Sequence, residues 1–330
     1  MNIFLLVFSL VICAIIYFYT IGQKVTCTND CAYGVIYDFI DKNPSKSFID
    51  KETFASIVKN TNGDENLALL NISKCVSNRD KNVAVSNYKV GACVLGASGK
   101  VYLGINMEFS SVLINTVHAE QCAIHNAAIE GETSIIKLAV NAPPCGSCRQ
   151  YLVDIGVPTD LKIIFCENGI MTINTLEDLL PLNFGPINLG MTERVFSHPL
   201  WTIQNSGVNG NDEIQKKAVE MLTKSFAPYT KTPEGVVIQF QDNTHVFGQK
   251  IENAAYNPTV SAIRGALSIA SLKQKIKNNE MLVNNPIVKI VLAIGNTDVT
   301  PSLSIKEVYN LANQLGVTDD KIIVINVKYI

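Results

Sequence analysis

The sequence predicts an α/β fold in which a layered sheet is built twice. In the first half, two strand-like runs at 90–96 and 100–106 precede a helical pattern near residue 118 and a strand-like run at 135–141. The second half repeats the order strand, strand, helix, strand, helix, strand from residue 235 onward. Alternating strands and helices are typical of a sheet covered by helices, and a repeated order indicates a duplicated unit.

The composition favours a large, nearly neutral protein with a small ligand. The 330 residues are 47% hydrophobic and 17% charged, which is enough for a large core. The net charge is -2, so the basic surface expected of a nucleic-acid-binding protein is missing. A chain of this length does not need disulfides to fold, and we expect most of its nine cysteines to be reduced thiols.

The N-terminal run 3–22 carries no charged residue and predicts a membrane anchor. At about 1.5 Å per residue, a helix of this length spans a bilayer core of roughly 30 Å. A cleaved signal peptide is the alternative, although no basic residue precedes the run. Lys24 follows it, so we expect a single-pass membrane protein with its catalytic part in the cytosol. Cys27 and Cys31 would be palmitoylated there, or form a disulfide if that side is lumenal.

Changes of pattern divide the chain into five segments. "ETFASIVKN" and "ENLALLNISKCV" have helical spacing, whereas "VGACVLG" and "KVYLGIN" flank the turn "ASGK" and predict a hairpin. The predicted segments are an anchor at 1–23, a small helical lead-in at 24–85, a catalytic domain at 86–190, a linker at 191–214 and a non-catalytic copy at 215–330.

Two helices are predicted around the polar motifs of the catalytic domain. Thr116 is a suitable N-cap for the helix in "VHAEQCAIHNAAIE". Pro143 and Pro144 precede a second helix at 145–155, where a proline suits the first turn.

A metal site is predicted where these two helices begin. Cys145 and Cys148 are three residues apart, so both sulfurs face one side of a helix, and His118 adds a nitrogen from the other helix. Three protein ligands leave one tetrahedral position open, which is typical of catalytic zinc; a structural site is the alternative. We expect Cys122 and His125 to fill the core or the surface.

Glu120 is the predicted catalytic residue. It follows His118 by two residues and can approach a zinc-bound water without binding the metal. In zinc deaminases the pattern H-x-E…P-C-x-x-C assigns proton transfer to this glutamate. Zinc can lower the pKa of its water from about 15.7 to about 7, which leaves Glu120 free for that task.

The motifs resemble those of the two-domain, homodimeric zinc cytidine deaminases. The resemblance runs through "SNYKVGA", "YLGINMEF", "TVHAEQ", "PCGSCRQ" and "FGP" to "GVVIQF" and "ENAAYNPT". It implies a three-layer α/β/α fold with a mixed sheet, in a catalytic and a degenerate copy, with one Zn²⁺ per subunit. The implied reaction is attack of zinc hydroxide at C4 of cytidine or deoxycytidine, in pyrimidine salvage, with Glu120 as proton shuttle.

The resemblance also implies a substrate site around the zinc ligands. Asn106 and Glu108 match the binders of the ribose hydroxyls, and Tyr88 stands where the family usually has phenylalanine against the pyrimidine. The carbonyl of Pro143 and the backbone N–H of Ala119 would meet the base.

The second copy lacks these groups. Ser261 and Ile263 stand at the positions of His118 and Glu120, and no cysteine follows Cys166, so the same zinc site cannot form there.

Two other functions remain open: a deaminase of single-stranded nucleic acid, which shares the motif, and an inactive zinc-bound structural dimer. The segment 86–190 has nine acidic and five basic residues, so phosphate would be repelled. We therefore expect a nucleoside substrate and no nucleic-acid partner.

Overall fold

Two mixed sheets with helices on both faces form the framework of the chain. The computed structural model describes residues 26, 34–79, 82–109, 112–156, 160–208, 210–277, 280–281, 285–295 and 302–330. The elements of the first half are α1 Gly34–Lys42, β1 Phe48–Ile49, α2 Lys51–Asn60, α3 Glu65–Ser77, β2 Gly91–Gly96, β3 Val101–Ile105, α4 Ala119–Ile129, β4 Ile135–Val140, α5 Gly146–Leu152, β5 Lys162–Glu167, β6 Ile170–Thr175 and α6 Leu176–Leu179.

The second half repeats the central part of this order. Its elements are β7 Ile203–Asn205, α7 Glu213–Thr223, β8 Glu234–Phe240, β9 His245–Gln249, α8 Ala262–Leu272, β10 Ile276–Lys277, β11 Glu280–Met281, β12 Ile287–Gly295, α9 Ser302–Gln314 and β13 Ile322–Tyr329.

The two sheets share the topology of four strands, β3-β2-β4-β5 in the first and β9-β8-β12-β13 in the second. The first has the strand order β1-β3-β2-β4-β5-β6, and the second has the order β7-β13-β12-β8-β9. Each contains an antiparallel hairpin next to one parallel pair, which is β4 with β5 in the first sheet and β12 with β13 in the second. The prediction of a mixed-sheet α/β fold built twice is confirmed.

The duplication extends to the packing of each hairpin on its helix. A Cβ atom at Gly104 would lie 2.2 Å from the carbonyl oxygen of Ala119, and one at Gly248 would lie 2.0 Å from that of Ala262. Only glycine permits this approach of strand to helix. It holds the first turn of α4 against the sheet, where the predicted metal site begins.

The two halves share one hydrophobic core, and α4 and α8 lie between the sheets. His125 of α4 is fully buried against Gly265 of α8. The backbone N–H of Gln249 donates to His125 Nε2 at 3.4 Å. His125 therefore belongs to the contact between the halves, as the prediction of a core role required.

Most predicted elements are present, including the two lead-in helices and the hairpin. The predicted cap at Thr116 is wrong: α4 begins at Ala119, and His118 is its N-cap. Val117 pairs with Met107 in a β-bridge, which keeps the backbone extended up to His118.

The predicted helix at 145–155 is shorter than expected. It spans Gly146–Leu152 with Cys145 as its N-cap, so Pro144 precedes the cap and is not in the first turn.

The described cysteines fall into two groups. Cys93, Cys122, Cys145 and Cys148 are not disulfide-bonded, whereas Cys75 and Cys166 are. Four of the six described cysteines therefore agree with the expectation that most are reduced thiols, and Cys75 and Cys166 are the exceptions.

The membrane prediction needs correction. Among the described residues, no helix could cross a bilayer, and the longest ones have 13 residues. Such a helix is about 20 Å long, whereas a bilayer core is roughly 30 Å thick. This finding overturns the single-pass membrane localisation. The run 3–22, Cys27 and Cys31, on which that prediction drew, lie outside the described residues.

Candidate active site

One histidine and two cysteines converge where α4 and α5 begin. His118 and Cys145 are the N-caps of these helices, and both have extended backbone. Cys148 lies in the first turn of α5 and is buried. The ligand atoms of the three residues lie within 4.8 Å of one another, and His118 Nδ1 is 3.5 Å from Cys145 Sγ.

This donor set fits zinc. Zinc bonds of about 2.3 Å to sulfur and about 2.0 Å to nitrogen place tetrahedral ligands roughly 3.5 to 4 Å apart, close to the spacing observed here. Two thiolates would balance the charge of Zn²⁺. The group could therefore hold a metal ion with three protein ligands.

A hydrogen bond between the two cysteine side chains separates their pKa values. A hydrogen bond from Cys148 and the contact with His118 lower the pKa of Cys145 to about 3. For Cys148, the hydrogen bond with Cys145 and burial both raise the pKa. The hydrogen bond with Cys145 also raises the pKa of His118. A divalent cation would compete with these protons, because metal ligands bind in their deprotonated form.

Glu120 lies in the first turn of α4 and is only 3% exposed. Desolvation raises the pKa of its carboxyl group, and His118 opposes this shift. Glu120 is not a member of the metal-ligand group. A buried carboxyl group with a raised pKa is suited to taking up and releasing a proton near neutral pH.

A cavity of about 320 Å³ opens beside these groups. Eight of the nine predicted site residues line it: Tyr88, Asn106, Glu108, His118, Ala119, Glu120, Pro143 and Cys145. Five further residues complete the lining, and none of them was predicted as a site residue: Ser86, Val90, Thr116, Val140 and Ala142. All of these except Val140 lie within two positions of a predicted site residue in the chain, which is the one signal that could have found them.

Glu108 holds the segment 85–90 on one side of the cavity. Its carboxylate accepts hydrogen bonds from the backbone N–H groups of Val85 and Ser86 at 2.9 and 3.0 Å. The hydroxyl group of Ser86 donates to the same carboxylate. This anchoring role depends on tertiary contacts and was not predicted.

Asn106 holds the same segment. Its Oδ1 accepts from the Val90 N–H at 2.8 Å, and its Nδ2 donates to the Tyr88 carbonyl at 3.1 Å. The Tyr88 side chain is 61% exposed at the rim of the cavity.

The second half has an equivalent of Glu108 that lies among charged side chains. Glu252 accepts from the backbone N–H groups of Tyr229 and Thr230, as Glu108 does in the first half. Lys250 lies 3.2 Å from both Glu234 and Glu252. Within the described residues, a group of side chains that could hold a metal ion occurs in the first half alone.

Comparisons with known proteins agree with this arrangement. Residues 66–164 and 176–299 match two family profiles, both described as the cytidine and deoxycytidylate deaminase zinc-binding region. A cytidine deaminase of Aliivibrio fischeri is 33% identical over 235 residues, which cover 70% of this chain and 75% of that protein.

Two further comparisons cover less of the proteins involved. A cytidine deaminase of Vibrio cholerae serotype O1 is 36% identical over 57% of this chain; the match spans 62% of that relative, less than two thirds of its length. The crystal structure of cytidine deaminase from Burkholderia pseudomallei has 30% identity and a TM-score of 0.33, with 36% of this chain and 98% of that chain covered. On the two profile matches and the Aliivibrio relative, the chain belongs to the cytidine and deoxycytidylate deaminase family.

Proposed function

We propose that the chain is a zinc-dependent hydrolase that converts cytidine and deoxycytidine to uridine and deoxyuridine plus ammonia. The observation that carries this proposal is the meeting of a His-Cys-Cys ligand group and a buried carboxyl group at a cavity of nucleoside size. The names of the relatives support the same reaction.

His118, Cys145 and Cys148 would hold the zinc ion. When bound, zinc acts as a Lewis acid that makes water acidic enough to attack C4 near neutral pH. Both helix N-termini point partial positive charge at the sulfurs and favour their thiolate forms.

Glu120 moves the protons. It takes one proton from the attacking water and delivers it to N3 of the pyrimidine. It then takes the second proton, from the hydroxyl group now on C4, and gives it to the amino group, which leaves as ammonia while the C4 carbonyl forms. The burial of Glu120 excludes bulk water from these transfers. Its pKa is raised and therefore lies closer to neutral pH than that of an ordinary carboxyl group.

The remaining cavity residues orient the nucleoside. Asn106 and Glu108 bind the ribose hydroxyl groups with the hydrogen-bonding capacity that their contacts to the segment 85–90 leave over. The Ala119 N–H and the Pro143 carbonyl contact the base, and the Tyr88 ring packs against it. Each group lines the cavity.

We also propose that the active form is a homodimer. Tyr88, Leu113 and Ile114 are large apolar residues near the cavity that are 61%, 59% and 71% exposed. Large apolar residues exposed beside a site are typical of a protein interface.

A substrate comparison tests the proposal. The full chain, loaded with zinc, is given cytidine, deoxycytidine, or a single-stranded oligonucleotide that contains cytosine. We expect the ultraviolet absorbance change of deamination with both nucleosides and no uracil in the oligonucleotide. Editing of the oligonucleotide without nucleoside turnover would favour the nucleic-acid deaminase. Full zinc occupancy without turnover of any substrate would favour the structural dimer.

A further inference from the structure

We propose that the degenerate half positions the two zinc-binding helices through the 253–259 loop, with Gln121 and Asn253 as positioning residues. This loop, "NAAYNPT", joins β9 to α8 in the second half. The inference rests on the zinc site of the proposed function. It adds a task for the second half, whose described residues include no such ligand group.

Gln121 links the loop to the N-terminus of α4. Its Oε1 accepts from the backbone N–H of His118 at 3.0 Å, and its Nε2 donates to the carbonyl of Pro258 at 2.9 Å. The side chain is buried, so water does not replace these bonds readily. One amide group thus connects the second half directly to the backbone of a metal ligand.

Asn253 links the other end of the same loop to α5. Its Nδ2 donates to the carbonyl oxygens of Gln150 and Tyr151 at 3.1 and 3.3 Å, and to Asp154 Oδ2 at 2.6 Å. Gln150 and Tyr151 follow Cys148 by two and three residues. Asn253 is fully buried, so it fixes the helix that presents both sulfurs.

The loop between these two contacts is internally braced. The N–H of Asn253 donates to Thr259 Oγ1 at 3.2 Å, and the N–H of Thr259 donates to the carbonyl of Tyr256 at 2.9 Å. The N–H of Tyr256 in turn donates to the carbonyl of Asn253 at 2.9 Å. Because these hydrogen bonds brace the loop, they keep its two contacts, one with Gln121 and one with α5, at a fixed separation.

That separation matters because the ligands come from different helices. His118 lies on α4 and both cysteines on α5, so a relative shift of the helices changes the nitrogen–sulfur distances directly. Neither Gln121 nor Asn253 lines the cavity or belongs to the ligand group. Their effect passes through the ligands, and groups that orient metal ligands typically change metal affinity or activity by roughly 10- to 100-fold when removed.

Gln121→Met in the full, zinc-loaded chain tests the inference. Methionine has a similar length but cannot form either hydrogen bond. We expect zinc release to a chromogenic chelator to accelerate by about 10-fold or more. We also expect kcat to fall while KM changes less than threefold, since the substrate contacts remain.

Gln274→Asn is the matched control. Gln274 Nε2 donates to the Arg79 carbonyl at 2.7 Å and joins the two halves away from the zinc ligands. Asparagine is one methylene group shorter, so it loses this hydrogen bond, and it tolerates the positive φ of 57° at that position. We expect zinc release and kcat within twofold of the wild type.

Gln121→Glu distinguishes the hydrogen bond that Gln121 accepts from His118 from the one that it donates to Pro258. The carboxylate can still accept from the His118 N–H but cannot donate to Pro258. Zinc release from Gln121→Glu as rapid as that from Gln121→Met would support a role for the second half. Zinc release from Gln121→Glu at the wild-type rate would show that Gln121 acts only as a helix cap, and would overturn the proposal. Wild-type zinc release in Gln121→Met, or in Gln121→Glu if Gln121→Met does not fold, would also overturn it. A wild-type protein without zinc or turnover would instead refute the proposed function.

Discussion

At the scale of single residues, the surroundings decide what an ionisable side chain can do. His118 and His125 lie seven residues apart on or next to α4, so spacing alone cannot tell a ligand from a core residue. The hydrogen bond with Cys145 raises the pKa of His118, whereas burial lowers the pKa of His125 to about 3. The first residue faces a metal-ligand group and the second faces the neighbouring half.

The buried His125 predicts a pH dependence of stability. Its folded pKa of about 3 lies below the ordinary value of 6.5, so below pH 6.5 the unfolded chain binds a proton that the folded chain does not. The contribution of the neutral His125 to the free energy of unfolding is therefore fully present above pH 6.5. It is lost as the pH falls below 6.5, by up to about 1.4 kcal/mol per pH unit.

Urea unfolding between pH 7.5 and 4.5 measures this effect against His125→Gln, which keeps an acceptor for the Gln249 N–H. We expect the wild type to lose more free energy of unfolding on acidification than the variant. Other titrating groups cancel in this difference, so parallel curves would show that His125 is not the source.

The sequence was most informative where chemistry dictates both residue type and spacing. His118, Glu120, Cys145 and Cys148 could be named because metal binding and proton transfer need those side chains in that pattern. The anchoring of Ser86 by Glu108 could not be named. It depends on a contact across 22 residues that only the folded hairpin creates.

At the scale of elements, close backbone approaches fix how helices meet strands and each other. Element order was predictable from periodicity, but the start of α4 was not. The β-bridge of Val117 with Met107 overrides the capping preference of Thr116. The contact of α4 with α8 was also hidden, because it requires a glycine on one helix opposite a histidine on the other.

Gly265→Ala tests this helix contact. A Cβ atom there would lie 2.0 Å from His125 Cε1, so the helices must move apart or the ring must shift. We expect a loss of about 1 to 3 kcal/mol in the free energy of unfolding, typical of overpacking. Gly34→Ala is the control, because a Cβ atom at Gly34 meets open space. Equal stability of the two variants would show that α4 and α8 tolerate separation.

At the scale of the whole molecule, duplication explains the shape of both halves but not their different contents. The second half keeps the carboxylate that binds the preceding segment, now Glu252, and lacks the metal ligands. Its Lys250 lies between Glu234 and Glu252, in a region where all three side chains are largely buried. An ion-paired lysine thus replaces Asn106, which lines the cavity of the first half.

Lys250→Met tests this replacement. Removing the cation leaves two buried carboxylates without a counter-charge, which typically costs about 3 to 5 kcal/mol. We expect denaturant unfolding to show such a loss while zinc content per folded chain stays unchanged. Lys216→Met, which breaks an exposed pair with Glu213, should cost about 1 kcal/mol or less. Similar losses in the free energy of unfolding of both variants would indicate that Lys250 stabilises the fold no more than an exposed lysine does.

The central claim is that His118, Cys145 and Cys148 hold zinc while Glu120 transfers protons without binding it. Cytidine turnover and zinc content of Glu120→Gln, measured on the same preparation, test it most directly. We predict wild-type zinc content with turnover reduced by roughly 10²- to 10⁴-fold, since glutamine fills the same space but cannot accept a proton. Loss of zinc from the variant, or turnover close to that of the wild type, would contradict the account.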